Sequence, residues 1–144
     1  MKVKSPFPWF GGKSMAADLI WARLGADCRN YVEPFFGSGA VWLGRPTAYK
    51  GQATVNDIDG HVANFWRAVE LHPEETARAA CNPVNECDLH ARHLRLVTER
   101  ERLTLRLMAD PEYCEPVLAG WWAWGANVWI GGGWCKGDGP WTAG

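Results

Sequence analysis

Apolar and polar positions change period several times along the chain. Met15, Leu19 and Ile20 recur at helical spacing, which predicts a helix from Lys13 to about Leu24, with Gly25 a fitting C-terminal stop. Tyr31 to Phe35 reads instead as a short buried strand. Gly39 to Leu43 opens a second helix, ended by Gly44 and Pro46. Ala53 to Val55 is a second strand, closing at Asn56-Asp57. Asp59 then fits the N-cap of a helix reaching Leu71, with Val62, Phe65, Trp66 and Val69 on one face. Such alternation predicts an α/β fold with a parallel sheet and crossover helices over residues 1–72.

Beyond that point the strands stop. Pro73 starts a short helix, and Asp88 to Leu107 carries a long amphipathic one. Its apolar stripe is Leu89, His93, Leu96, Val97, Leu103 and Leu107. Arg92, Arg95, Arg100, Arg102 and Arg106 ride outside the stripe with Glu99 and Glu101, as a solvated face would. Pro116 to Trp129 is Trp-rich and helical, and the glycine-rich tail "GGGWCKGDGPWTAG" offers no core. Residues 73–144 therefore read as a helical, Trp-rich second part.

Composition narrows the picture. With 144 residues the chain has the length of one domain with a real core, and a net charge of −1 leaves only local basic sites for a polyanion. The five cysteines are odd in number and irregular in spacing, which favours reduced thiols. Cys81, Cys87, His90 and His93 include no C-x-x-C pair, so packing roles outweigh a metal site. Six of the ten tryptophans, including Trp141, lie in the last quarter; they suit either a core or a base-stacking surface, and burial is the simpler use of an indole. No apolar run reaches membrane-spanning length and "MKVKSPFPWF" lacks a signal-peptide core, so a soluble cytoplasmic protein is expected.

The stretch "YVEPFFGSGAVWL" carries the candidate chemistry. A glycine turn that leaves a strand and enters a helix aims backbone N–H groups at the carboxyl edge of the sheet, where open α/β sheets bind ligands. Asp57 follows Gly37 by twenty residues and ends the next strand at the same edge, where a carboxylate can accept from two ribose hydroxyls. A nucleoside-containing ligand is therefore indicated. Trp42 stands where a dinucleotide fingerprint needs its third glycine, and Phe7 where a phosphate loop needs its first. Both facts weigh against nicotinamide and triphosphate readings.

"PFPWFGGKS", "YVEPFFGSGAVWL" and "VNDID" together resemble the first three blocks of the Dam-like, phage-type (D12 class) DNA N6-adenine methyltransferases, in the family's order. The resemblance implies a Rossmann-like partial parallel sheet over residues 1–72 that binds S-adenosylmethionine, with cofactor roles for Trp9, Lys13, Gly37, Gly39 and Asp57. It implies adenine-containing duplex DNA as substrate, a recognition insert starting within residues 73–144, and a place in DNA methylation of the restriction-modification or phage kind. Trp9, Lys13, Gly37 and Asp57 should converge on one cleft.

The family's catalytic D-P-P-Y block has no clear counterpart. "DPEY", Asp110 to Tyr113, has Glu112 in place of the second proline, follows a helix and comes early. It reads as an interhelical turn, with Asp110 capping the next helix. The expectation is an N-terminal portion of such an enzyme, with no catalytic residue and no metal site, inactive alone and completed by a C-terminal polypeptide. The alternatives are a non-catalytic cofactor- or DNA-binding remnant, a split-enzyme partner and, more remotely, a nicotinamide-dependent oxidoreductase fragment.

Overall fold

A computed structural model describes residues 3–136, so Trp141 lies outside the described residues. The chain divides into one compact unit up to Ile58 and a second from Asp59 onward.

The first unit alternates as its sequence pattern predicts: α1 (Ala17–Leu24), β1 (Asn30–Glu33), α2 (Ala40–Leu43) and β2 (Gln52–Val55). Helix α1 starts later than expected, because a turn closed by Ala16 N–H on the Lys13 carbonyl precedes it. Gly25 ends it at φ 73°, a left-handed conformation that costs glycine little. The two strands pair in parallel, from Asn30 opposite Gln52 to Glu33 opposite Val55, with α2 in the crossover. Trp21, Tyr31, Val41 and Tyr49 form the core of this unit. The buried indole N–H of Trp21 donates to the Val41 carbonyl at 2.6 Å, so its polar atom is satisfied.

The strand expected to be buried from Tyr31 to Phe35 is corrected. Only Tyr31 and Glu33 face inward, while Val32 and Phe35 are exposed. The pleat points alternate side chains to opposite faces, and the face of β1 that carries Tyr31 is the one packed on Trp21 and Val41.

The second unit is helical: α3 (Gly60–Leu71), α4 (Pro73–Ala80), α5 (Glu86–Ala109) and α6 (Pro116–Val128), which brings the total to six helices among the described residues. Asp59 caps α3 by accepting from His61 N–H at 2.9 Å, as its sequence position suggests. Gly120 allows α6 to lie close on α4: a Cβ there would stand 2.5 Å from Ala79 Cβ and from the Thr76 carbonyl oxygen. Asn64 ties α3 to the start of α6, donating to the Glu115 carbonyl at 3.0 Å and accepting its N–H at 2.8 Å. Because α3 packs with these later helices, the compact units divide after Ile58 rather than after residue 72.

Two further expectations change. The glycine-rich segment does contribute to the core: Cys135 is buried and its N–H donates to His93 Nδ1 at 3.3 Å, while the Trp134 indole donates to the Trp122 carbonyl at 3.0 Å. Nor is the arginine row of α5 simply solvated. Arg92 lies 4.4 Å over the Trp124 ring, Arg106 4.0 Å over Tyr113, and Arg100 pairs with Asp59 at 3.1 Å. No described helix is long and apolar enough to cross a membrane.

Candidate functional site

The glycine turn after β1 is held from both strands. Phe36 N–H donates to the Asn56 carbonyl and Gly39 N–H to the Phe36 carbonyl, both at 2.9 Å. Gly37 (φ 50°) and Gly39 (φ 64°) sit in the left-handed region, where a side chain is strained, and Gly39 forms the N-cap of α2. Gly37 N–H donates to Asp57 Oδ2 at 2.8 Å, so the acid at the end of β2 closes onto the turn at the end of β1.

What comes close to the turn is Trp9. A Cβ on Gly37 would meet Trp9 Cδ1 and Nε1 at 2.5 Å. The glycine thus admits an indole edge from twenty-eight residues upstream, and Trp9, Gly37 and Asp57 form one contiguous group. The Trp9 loop is itself turned by Gly11 (φ 71°) and closed by Gly12 N–H on the Trp9 carbonyl at 2.8 Å.

Lys13 leaves this loop and fastens it to β1. Its ammonium donates to Glu33 Oε1 and to the Phe35 carbonyl, each at 2.7 Å. Glu33 is almost fully buried, and its second oxygen accepts from the Tyr31 hydroxyl. Burial first, then the hydrogen bond to Glu33 and its charge, push the Tyr31 phenol well up, so it stays protonated and donates. The ring lies between Trp21 and Trp42, at 5.1 and 5.8 Å between centroids. A cavity of about 190 Å³ opens here, with Trp9, Lys13, Glu33, Phe35, Phe36 and Ser38 in its walls. Gly37, Gly39 and Asp57 are outside its lining. The arrangement offers binding chemistry: a paired ammonium and carboxylate, an aromatic edge, and a second carboxylate on a glycine turn.

Tyr31 and Glu33 join the Lys13 cluster at this cavity, which the sequence reading passed over. The available signal was an acid on the inward-facing parity of a strand, which needs a cationic partner when buried.

"DPEY" is an interhelical turn, as its sequence suggests. Asp110 Oδ1 accepts from Glu112 N–H at 2.9 Å, and Arg67 Nη1 donates to the Asp110 and Tyr113 carbonyls at 2.8 Å. Asp110 does not cap the next helix, however. It is the C-cap of α5, and α6 begins after Glu115 without a side-chain cap.

The helical unit carries a groove of about 580 Å³ between α5 and α6, with Arg92, Arg95, Arg102, Glu115, Leu118 and Trp121 in its walls. Arg102 pairs with Glu99 and, at 3.4 Å, with Glu115; Arg95 pairs with Glu99 at 3.0 Å. Cys81 and Cys87 are exposed, and among the described residues no three His, Cys, Asp or Glu side chains group as metal ligands.

The family model described as D12 class N6 adenine-specific DNA methyltransferase matches residues 9–92, more than half of the chain. The match begins at Trp9 and takes in Lys13, Gly37, Gly39 and Asp57. No curated protein and no solved structure matched the chain.

Proposed function

The chain belongs to the D12 class of N6 adenine-specific DNA methyltransferases, and on that premise we propose that residues 1–72 hold S-adenosylmethionine for methyl transfer to adenine N6 in DNA. One observation carries the reading: Gly37 N–H on Asp57 Oδ2 joins the glycine turn and the acid of the next strand at one sheet edge. In this proposal Asp57 accepts from the ribose hydroxyls, and the Gly37–Gly39 turn lies beneath the methionine part. Lys13 faces the methionine carboxylate, and Trp9 gives an aromatic face beside the cationic sulfur.

The donor set fits such a ligand. The opposite charges of Lys13 and Glu33 on one cavity wall complement an amino-acid end, and 190 Å³ suits that end alone. When bound, the cofactor supplies an electrophilic methyl group on its sulfonium. The residues of this chain contribute orientation, by fixing the donor at the edge of a sheet that is Rossmann-like in this reading. Residues 73–144 begin the DNA-recognition insert, and the arginines of the α5–α6 groove suit phosphate contacts. A cytoplasmic location accords with a DNA substrate.

The chain alone transfers no methyl group in this proposal, because no D-P-P-Y block stands in its 144 residues to grip the amino group of a flipped adenine. That observation also favours a second reading: a cofactor-binding part that is non-catalytic by itself and works with another polypeptide. Isothermal titration with S-adenosylmethionine, its demethylated product and NAD tests the cofactor assignment. Binding of the first two and not of NAD is expected; heat from NAD alone would overturn it.

A further inference from the structure

We propose that Tyr31 is a positioning residue for the amino-acid end of the methyl donor, acting through Glu33 and Lys13; this rests on the cofactor reading above. A phenylalanine at position 31 would fill the same space between Trp21 and Trp42. The hydroxyl is what the core does not need, and a buried hydroxyl is costly without a partner. Its partner is Glu33 Oε2, on a residue that is 5% exposed.

A carboxylate is free to turn about its last torsion. The Tyr31 bond removes that freedom and leaves Oε1 directed at the Lys13 ammonium, 2.7 Å away. The Lys13 ammonium is then held between Glu33 Oε1 and the Phe35 carbonyl. The buried member of the chain is the phenol ring, stacked on two indoles. The solvent-facing member is the lysine at the cavity wall, with side-chain exposure of 37%. Order passes from the aromatic core, through one carboxylate, to the cation that would face the ligand carboxylate. Preorganisation of this kind lowers the cost of fixing a flexible side chain when ligand binds.

Tyr31→Phe tests this without disturbing the packing. Titrations of the full chain use S-adenosylhomocysteine, which carries an amino-acid end, and 5′-methylthioadenosine, which lacks it. The variant should bind the first about tenfold more weakly, the usual scale for losing a hydrogen bond to a charged group, and the second unchanged. In a Lys13→Ala background Tyr31→Phe should cause no further loss, because its effect runs through Lys13. Equal loss for both ligands, no loss for either, or additive loss with Lys13→Ala would overturn the proposal. Failure of the unaltered chain to bind S-adenosylhomocysteine would instead bring down the cofactor reading, and this inference with it. Amide exchange at Gly12, whose N–H is held by the Trp9 carbonyl, is a second readout in the ligand-free chain: it should quicken in Tyr31→Phe, and unchanged exchange would count against the relay.

Discussion

Gly37→Ala should be costly for a reason that can be isolated. The backbone there has φ 50°, and an alanine in the left-handed region costs roughly 1–2 kcal/mol. The new methyl would also stand 2.5 Å from Trp9 Cδ1 and Nε1, where carbon atoms prefer about 3.5–4.0 Å. The indole must withdraw by about 1 Å, and overpacking of that kind costs typically 1–3 kcal/mol. The single variant should therefore lose about 2–5 kcal/mol, the sum of these two effects. In a Trp9→Ala background only the backbone part remains, so the same substitution should cost about 1–2 kcal/mol. Urea unfolding of the four proteins, followed by circular dichroism and compared through the coupling energy, measures the difference. A coupling of about 1–3 kcal/mol is expected. If Gly37→Ala costs the same with and without the indole, Trp9 is not what the glycine accommodates.

Three other outcomes follow from the geometry. Burial holds His61 down to about 4 from its ordinary 6.5, so the folded state disfavours its proton. The stability this residue protects is complete above pH 6.5 and is lost as pH falls toward 4, by on the order of 3 kcal/mol; His61→Phe should flatten unfolding free energy across that window, and an unchanged slope would refute the assignment. Asp57→Ala should weaken S-adenosylhomocysteine binding by about 1–3 kcal/mol in isothermal titration, since a charge-assisted acceptor is lost, and an unaltered affinity would remove Asp57 from the site. Asp110→Ala should leave that affinity unchanged, and labelled-methyl incorporation into adenine-containing DNA should stay at background for both proteins; incorporation that vanishes in the variant would make "DPEY" a catalytic block.

Local pattern made much of this fold legible. The helices declared themselves through periodicity, Gly25 and Asp59 through cap chemistry, and the parallel pairing through the strand–helix–strand order. Glycines 37 and 39 could be read as positions of unusual backbone conformation, but not what that conformation served. The partner of Gly37 is an indole from a distant loop, and no spacing rule relates positions 9 and 37. Glu33 was hidden because a four-residue strand is too short to display its alternation. The burial of Cys135 escaped for the same reason that Arg100 did. Its N–H meets His93, and its carbonyl takes a hydrogen bond from Arg100 at 3.2 Å, contacts decided by tertiary packing and not by the glycines around it.

The five thiols differ so much in surroundings that the chain arrives ready for site-specific labelling. Cys135 is buried, and burial pushes its thiol far up, which leaves it inert toward alkylating reagents near neutral pH. Cys114 is half-buried and shifted in the same direction, and Cys28 is half-buried with its sulfur against the Asn30 carbonyl at 3.3 Å. Cys81 and Cys87 are exposed, one at the end of α4 and the other in the first turn of α5. A maleimide dye or nitroxide offered to the unmodified protein should therefore collect on those two, bracketing the α4–α5 connection with a matched pair of reporters and no engineered cysteine.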